Sequence, residues 1–104
     1  MNFNERCYQI LKRIPKGKVT TYRAIAETLK SKGYRAVGNA MNKNPHNTDI
    51  YPCHRVIKSS GEIGGYAKGT KAKIRKLKAE NVEIKNNKID LNKFGFKFGK
   101  NIEI

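Results

Sequence analysis

Pro52-Cys53-His54-Arg55-Val56-Ile57 places a thiol, an imidazole and a guanidinium on three consecutive residues. A free cysteine has a pKa near ~8.5, and a neighbouring base or cation raises its nucleophilic thiolate fraction at neutral pH. His54 is such a base, acting directly or through one water once the backbone lets the two side chains communicate. The chemistry on offer is nucleophilic attack by sulfur. The other reading of Cys53 is a small buried hydrophobe, the commoner fate of cysteine. Cys7, on the apolar face of a predicted helix, is assigned to that fate. Cys53 differs because it follows a proline, precedes two cation-forming side chains and lies among loop glycines. Two cysteines without CxxC or CxxH spacing announce neither zinc nor a disulfide scaffold, so reduced thiols and no metal are expected.

A site of this kind needs a scaffold, and the chain allows only a small one. Its 104 residues suffice for one domain with a single modest core, which excludes a separate cofactor domain. Lys plus Arg number 23 against 8 Asp plus Glu, a net charge of +15. Such a surface suits a polyanion, nucleic acid first, although a solvated lysine coat kept for solubility has the same composition. No apolar run approaches the roughly 20 residues of a membrane span, and Met-Asn-Phe-Asn-Glu is not a secretory start, so a cytoplasmic location is expected.

Apolar spacing predicts a first helix over 4–14, buried through Cys7, Ile10, Leu11 and Ile14 and capped by Asn2 or Asn4. Pro15-Lys16-Gly17 stops it, and Val19 and Thr20 form a short extended piece. Thr21 caps a helix over 22–30, and after Gly33 a third helix runs over 34–43 to Asn44-Pro45. The pair at about 22–43 has a helix-turn-helix pattern, a motif equally at home in purely structural roles. Loops dominate 44–70. Thr70 caps a fourth helix reaching Glu80, with Ile74 and Leu77 inward and Lys71, Lys73, Arg75, Lys76 and Lys78 mostly outward as a basic stripe. Val82–Ile84 and Ile89–Leu91 flank Asn86-Asn87 as a small hairpin. Phe94, Phe96 and Phe98 alternate as an edge strand covering the core, in preference to a platform for stacking bases. The expected fold is mainly α with small β elements, a winged helix-turn-helix-like DNA-binding domain.

Pro52–Ile57 resembles the active-site signature of the O6-alkylguanine-DNA alkyltransferases, which repair methylated DNA by alkylating themselves. Ile14-Pro15-Lys16-Gly17-Lys18-Val19, Tyr22, Arg35-Ala36-Val37-Gly38, Asn44-Pro45, Gly64-Gly65-Tyr66 and the helix ending in Glu80 follow in the family's order near its spacing. The resemblance covers roughly residues 3–84 and corresponds to the family's C-terminal active-site domain only. It implies a catalytic and DNA-binding domain over 1–84, with 85–104 a basic, Phe-containing extension packed on it. It further implies single-turnover transfer of an alkyl group from guanine O6 to Cys53 in a monomer that needs no metal and no cofactor, acting on double-stranded DNA containing O6-alkylguanine. His54 would take the thiol proton through water, Glu80 would orient His54, and Asn44 would tie the site loop to the helix-turn-helix.

A stacked base is out of the thiol's reach, so the damaged nucleotide must be flipped out at a cost of a few kcal/mol. By resemblance, Arg35 would fill the vacated space. Tyr22 would crowd the adjacent phosphate and address the guanine's minor-groove edge. Ala36 and Gly38 would let the helix approach the minor groove, whose poor sequence information suits a protein that scans all sequences. Tyr66 would line the pocket, and the backbone of Cys53, Val56 and Ala67 would hydrogen-bond the flipped base.

Three features depart from the family pattern. The resemblance does not include the family's usual large amino-terminal domain, so this one domain is expected to supply its own stability. The segment His46–Tyr51 is about one residue longer than the usual connection, and Ala67 lacks a side-chain hydroxyl, with Lys68 next to it. Related short alkyltransferase-like proteins sense lesions without repairing them and replace the nucleophile, commonly with tryptophan; Cys53 therefore favours repair over sensing. A non-catalytic helix-turn-helix DNA-binding protein is the remaining alternative, and it leaves Cys53-His54-Arg55 unexplained.

Overall fold

The structure, a computed structural model, describes residues 2–31 and 33–98. Positions 99–104 of the expected extension lie outside the described residues. Helix α1 (Phe3–Leu11) starts where Asn2 accepts the Glu5 N–H at 2.8 Å. It ends three residues before the predicted Ile14, because Arg13 and Ile14 bond back to the carbonyls of Ile10 and Leu11 in tighter turns ahead of Pro15. Strand β1 (Thr20–Thr21) runs directly into α2 (Tyr22–Thr28), capped by the Thr21 hydroxyl on Ala24 N–H at 3.0 Å. Helix α3 (Tyr34–Asn42) packs against α2 and α1.

Helix α2 stops by a left-handed residue. Ser31 N–H reaches the Ala26 carbonyl and Lys30 N–H that of Glu27, the paired bonds of a Schellman ending, with Lys30 at φ 56°. A side chain in that conformation is strained, so Lys30→Gly is expected to stabilise the fold by about 0.5–1 kcal/mol. The check is a higher urea midpoint at unchanged slope.

Cys53–Arg55 form a single 3-10 turn that leads into β2 (Val56–Ile57). Strand β2 pairs parallel with β1, Thr20 opposite Val56 and Thr21 opposite Ile57. This short pairing fixes the cysteine turn relative to the start of α2. Helix α4 (Thr70–Ala79) follows Gly69, which stands at φ 96° in the cap position, so Thr70 is the first helical residue and not the predicted cap. Its far end is a second Schellman ending: Asn81 takes φ 65°, Val82 N–H bonds Leu77, and these two apolar residues share one cluster. That ending holds Glu80 at the helix terminus.

The predicted hairpin contracts to its turn. Asn86 and Asn87 are left-handed and Lys85 and Lys88 exchange backbone bonds, as two-residue hairpin turns require. Ile89 N–H goes instead to Gly61, and Asp90 caps α5 (Leu91–Phe94), so no regular wing forms among the described residues. The Asp90 cap turns the second predicted strand into a helix just after Ile89. Phe94 is accordingly helical, and only Gly95 bridges to Val19. Phe94 joins a cluster with Val19, Ile57, Ile63, Leu77, Val82 and Ile89, while Phe96 and Phe98 pack on the larger α1–α2–α3 cluster that includes Cys53 and Val56.

Candidate active site and nucleic-acid face

A 3-10 turn has three residues per revolution, so consecutive side chains diverge by about 120°. Cys53 therefore joins the helical cluster with 5% exposure, while His54 and Arg55 reach Glu80 at the end of α4. The Glu80 carboxylate receives Arg55 on both oxygens, Nε at 2.8 Å and Nη2 at 2.7 Å, and lies 3.0 Å from His54 Nε2. Arg55 Nη1 is anchored on the Ile14 carbonyl at 2.7 Å. Burial opposes the Glu80 charge, but the hydrogen bonds from Arg55 and His54 outweigh it and hold the carboxyl below its usual range. A carboxylate at a helix C-terminus faces the negative end of the dipole, and the bidentate guanidinium is what makes it tolerable here.

An ionised Glu80 accepts only, so His54 Nε2 carries the hydrogen and Nδ1 keeps its lone pair. That Nδ1 is buried and has no hydrogen-bond partner among the described residues. Burial lowers the His54 pKa, and the Glu80 bond only partly offsets it, so the imidazole is neutral at neutral pH. The result is an oriented base with an available lone pair, next in the chain to a free thiol.

Cys53 lines a cleft of about 190 Å³ with Asn44, Met41, His46, Tyr66 and Ala67. Burial pushes the Tyr66 phenol up to about 12, so it stays neutral beside the thiol. Asn44 holds the loop before Pro52 at both ends: its Nδ2 donates to the Tyr51 carbonyl at 3.3 Å and its Oδ1 accepts from His46 N–H at 2.9 Å. His46 stacks on Tyr51 at 4.4 Å and meets Tyr8 of α1 edge-on, which seats the loop against the helices.

Tyr22, Arg35 and Gly38 lie elsewhere, on a larger cleft of about 490 Å³ shared with Arg23, Tyr34 and Lys58. Arg35 and Ala36 are exposed on α3, and a side chain at Gly38 would meet nothing within 4 Å, so this face is open to a large partner. Val56 is buried and lines neither cleft; its carbonyl is bonded by Lys73. Apart from Val56, the expected site residues thus fall into three groups: Cys53 with its cleft, His54 with Glu80, and the face that Tyr22 of α2 shares with α3.

Lys73 corrects the expected outward stripe. It is fully buried, and its Nζ donates to the carbonyls of Val56, Ile63 and Gly65. The available signal was its place one turn before Leu77, on the inward face of α4. Arg55 also belongs to the site, and its sequence adjacency to His54 says nothing of the two hydrogen bonds it donates to Glu80.

Fold and site together define a small helical domain of the helix-turn-helix class that carries a thiol beside an imidazole–carboxylate pair. Residues 2–82 match the family described as 6-O-methylguanine DNA methyltransferase, DNA binding domain, and the chain belongs to that family. It is 42% identical over 90 residues to the bifunctional methyltransferase/endonuclease of Picrophilus torridus, covering 86% of this chain and 30% of that protein. It is 48% identical over 83 residues to the methylated-DNA–protein-cysteine methyltransferase of Sulfolobus acidocaldarius, covering 80% and 52%. The chain therefore spans about half or less of these relatives. In structure it resembles S. pombe Atl1, solved in complex with damaged DNA containing O6-carboxymethylguanine, with TM-score 0.80, 34% identity, and 91% and 94% of the two chains covered.

Proposed function

We propose that this chain repairs DNA by moving the alkyl group of an O6-alkylguanine onto Cys53, once per molecule, after the damaged base has left the duplex. The observation that carries this reading is the buried, unpartnered Nδ1 of His54, an imidazole fixed by an ionised Glu80 and adjacent to the Cys53 thiol. His54 accepts the thiol proton through one water, and the thiolate forms a bond to the alkyl carbon. The carbon–O6 bond breaks with its electron pair on the purine, which takes up one proton, so one proton leaves sulfur and one reaches the base. Tyr66 and Ala67 border the base, and Asn44 keeps the loop before Pro52 in place. No metal or cofactor enters the step.

On this reading the matched DNA-binding stretch also holds the active site and corresponds to the alkyl-accepting part of its longer relatives. Residues 1–84 form the working domain, with the helix-turn-helix at about 22–43, and the described part of the extension, through Phe94, Phe96 and Phe98, packs on it. We place the protein in the cytoplasm as a monomer; no helix among the described residues is long and apolar enough to cross a membrane. Helix α3 enters the minor groove with Ala36 and Gly38 closest, Tyr22 rotates the nucleotide, and Arg35 fills the gap. Arg35→Ala is expected to slow repair of duplex DNA roughly tenfold or more while sparing free O6-methylguanine, since unstacking costs a few kcal/mol. Equal loss on both substrates removes the wedge role.

The near full-length match to Atl1 favours a second reading, a lesion sensor. Intact-protein mass spectrometry after incubation with an O6-methylguanine duplex separates the two. One methyl on Cys53 supports repair; tight lesion binding without mass gain supports sensing. Binding indifferent to the lesion supports a regulator.

A further inference from the structure

Of the tyrosines and phenylalanines among the described residues, Tyr34 alone is exposed, at 52%. It opens α3 immediately before Arg35 and lines the larger cleft with it. Tyr22, on the same cleft, is already engaged: its hydroxyl lies 3.4 Å from the Gly65 carbonyl and its ring centroid 5.6 Å from the Lys73 ammonium. The Tyr34 ring has no hydrogen bond, cation or second ring against it among the described residues. Residues four apart share a helix face, and four beyond Tyr34 stands Gly38, which leaves the flank of the ring uncovered.

The charges that border this ring are of one sign. Arg23, Arg35 and Lys58 line the cleft with it, and no carboxylate among the described residues does; Glu27, 3.9 Å from Arg23, is not part of the lining. A cationic groove with an open aromatic face is the arrangement that holds unpaired bases, the cations following phosphates while the ring stacks on a base of any type.

Extruding one nucleotide leaves two things in a duplex, a gap and a partner base without its pair. Arg35 fills the gap on the reading above. Tyr34 precedes it by one helical step, a rise of about 1.5 Å and a turn of about 100°, so the ring borders the gap beside the guanidinium. We propose that Tyr34 stacks on the estranged partner base and is a second wedge residue that holds the opened duplex. The proposal rests on the alkyl-transfer reading above. In a closed duplex the partner base is paired and stacked and offers the ring no face, so the stack forms only after extrusion and offsets part of its cost. Because every base has a π face, it works whichever base stands opposite the lesion.

The test is a two-by-two comparison of second-order rate constants for methyl transfer to Cys53, read by intact mass. Wild type and Tyr34→Ala each act on O6-methylguanine placed opposite cytosine and opposite an abasic residue. Loss of one base stack corresponds to about 5- to 150-fold, so Tyr34→Ala should be slower by that factor opposite cytosine. Opposite the abasic residue the two proteins should agree within about twofold, because the ring has no base to meet. Tyr34→Phe, which keeps the ring, should match the wild type on both duplexes. Transfer from free O6-methylguanine should be the same in all three proteins, which separates a lost stack from a damaged fold. Equal slowing of Tyr34→Ala on both duplexes, no slowing on either, or the same loss in Tyr34→Phe overturns the inference and leaves the transfer reading standing. Absence of a methyl on wild-type Cys53 with either duplex overturns the transfer reading and this inference with it.

Discussion

Cys53→Ala is expected to bind an O6-methylguanine duplex as tightly as the wild type and to acquire no methyl group at all. The substitution removes one sulfur from the edge of the core at a cost of about 1 kcal/mol or less, and it leaves the His54–Glu80–Arg55 bonds in place. Loss of transfer with retained binding is then a chemical effect. Intact mass and fluorescence anisotropy on the same samples check it. Cys7 offers no substitute: it is fully buried, and burial pushes its thiol up to about 11, so a methyl on Cys7 in the variant would contradict the assignment of the nucleophile.

Arg55→Met carries the largest expected cost in stability, about 3 kcal/mol at neutral pH, because it leaves the partly buried Glu80 carboxylate without its guanidinium. Transfer should fall by about tenfold or more, since a Glu80 that regains its proton no longer holds His54 in the tautomer with Nδ1 free. Urea unfolding and single-turnover kinetics measure the two effects. The sign with pH follows from the Glu80 shift. A carboxyl held below its unfolded value adds stability above that unfolded value and loses it as pH falls through the folded one. The difference between wild type and variant should therefore shrink in acid. A buried His54 with a lowered pKa acts in the same direction, since the unfolded chain takes its proton first as pH falls below about 6.5. A stability gap that widens below pH ~4 would contradict this account of the pair.

Much of the fold was legible because the signals are local. Asn2 and Thr21 cap helices through bonds that reach three residues along the chain, and the apolar positions of α1 and α3 repeat at helical spacing. Cys53, His54 and Glu80 were legible as a set through the family resemblance, and from the residues alone as a thiol beside a base. The hairpin misled because a short apolar alternation does not show where a helix begins, and Asp90 caps one that takes Leu91 out of the second predicted strand.

Residue types and short-range spacing by themselves determined the thiol, its neighbouring base, the helix pair, the excess of positive charge and the family. Tertiary structure alone decided that Arg55 clamps Glu80 from 25 residues away and that the Lys73 ammonium finds acceptors inside the fold. The carbonyls that satisfy Lys73 lie 17, 10 and 8 residues distant. A cap or a turn is settled by neighbours whose separation the chain itself limits. The burial of a charge is settled by acceptors that only the packed fold assembles, and the helical pattern of α4, which puts position 73 on the inward face, does not supply them.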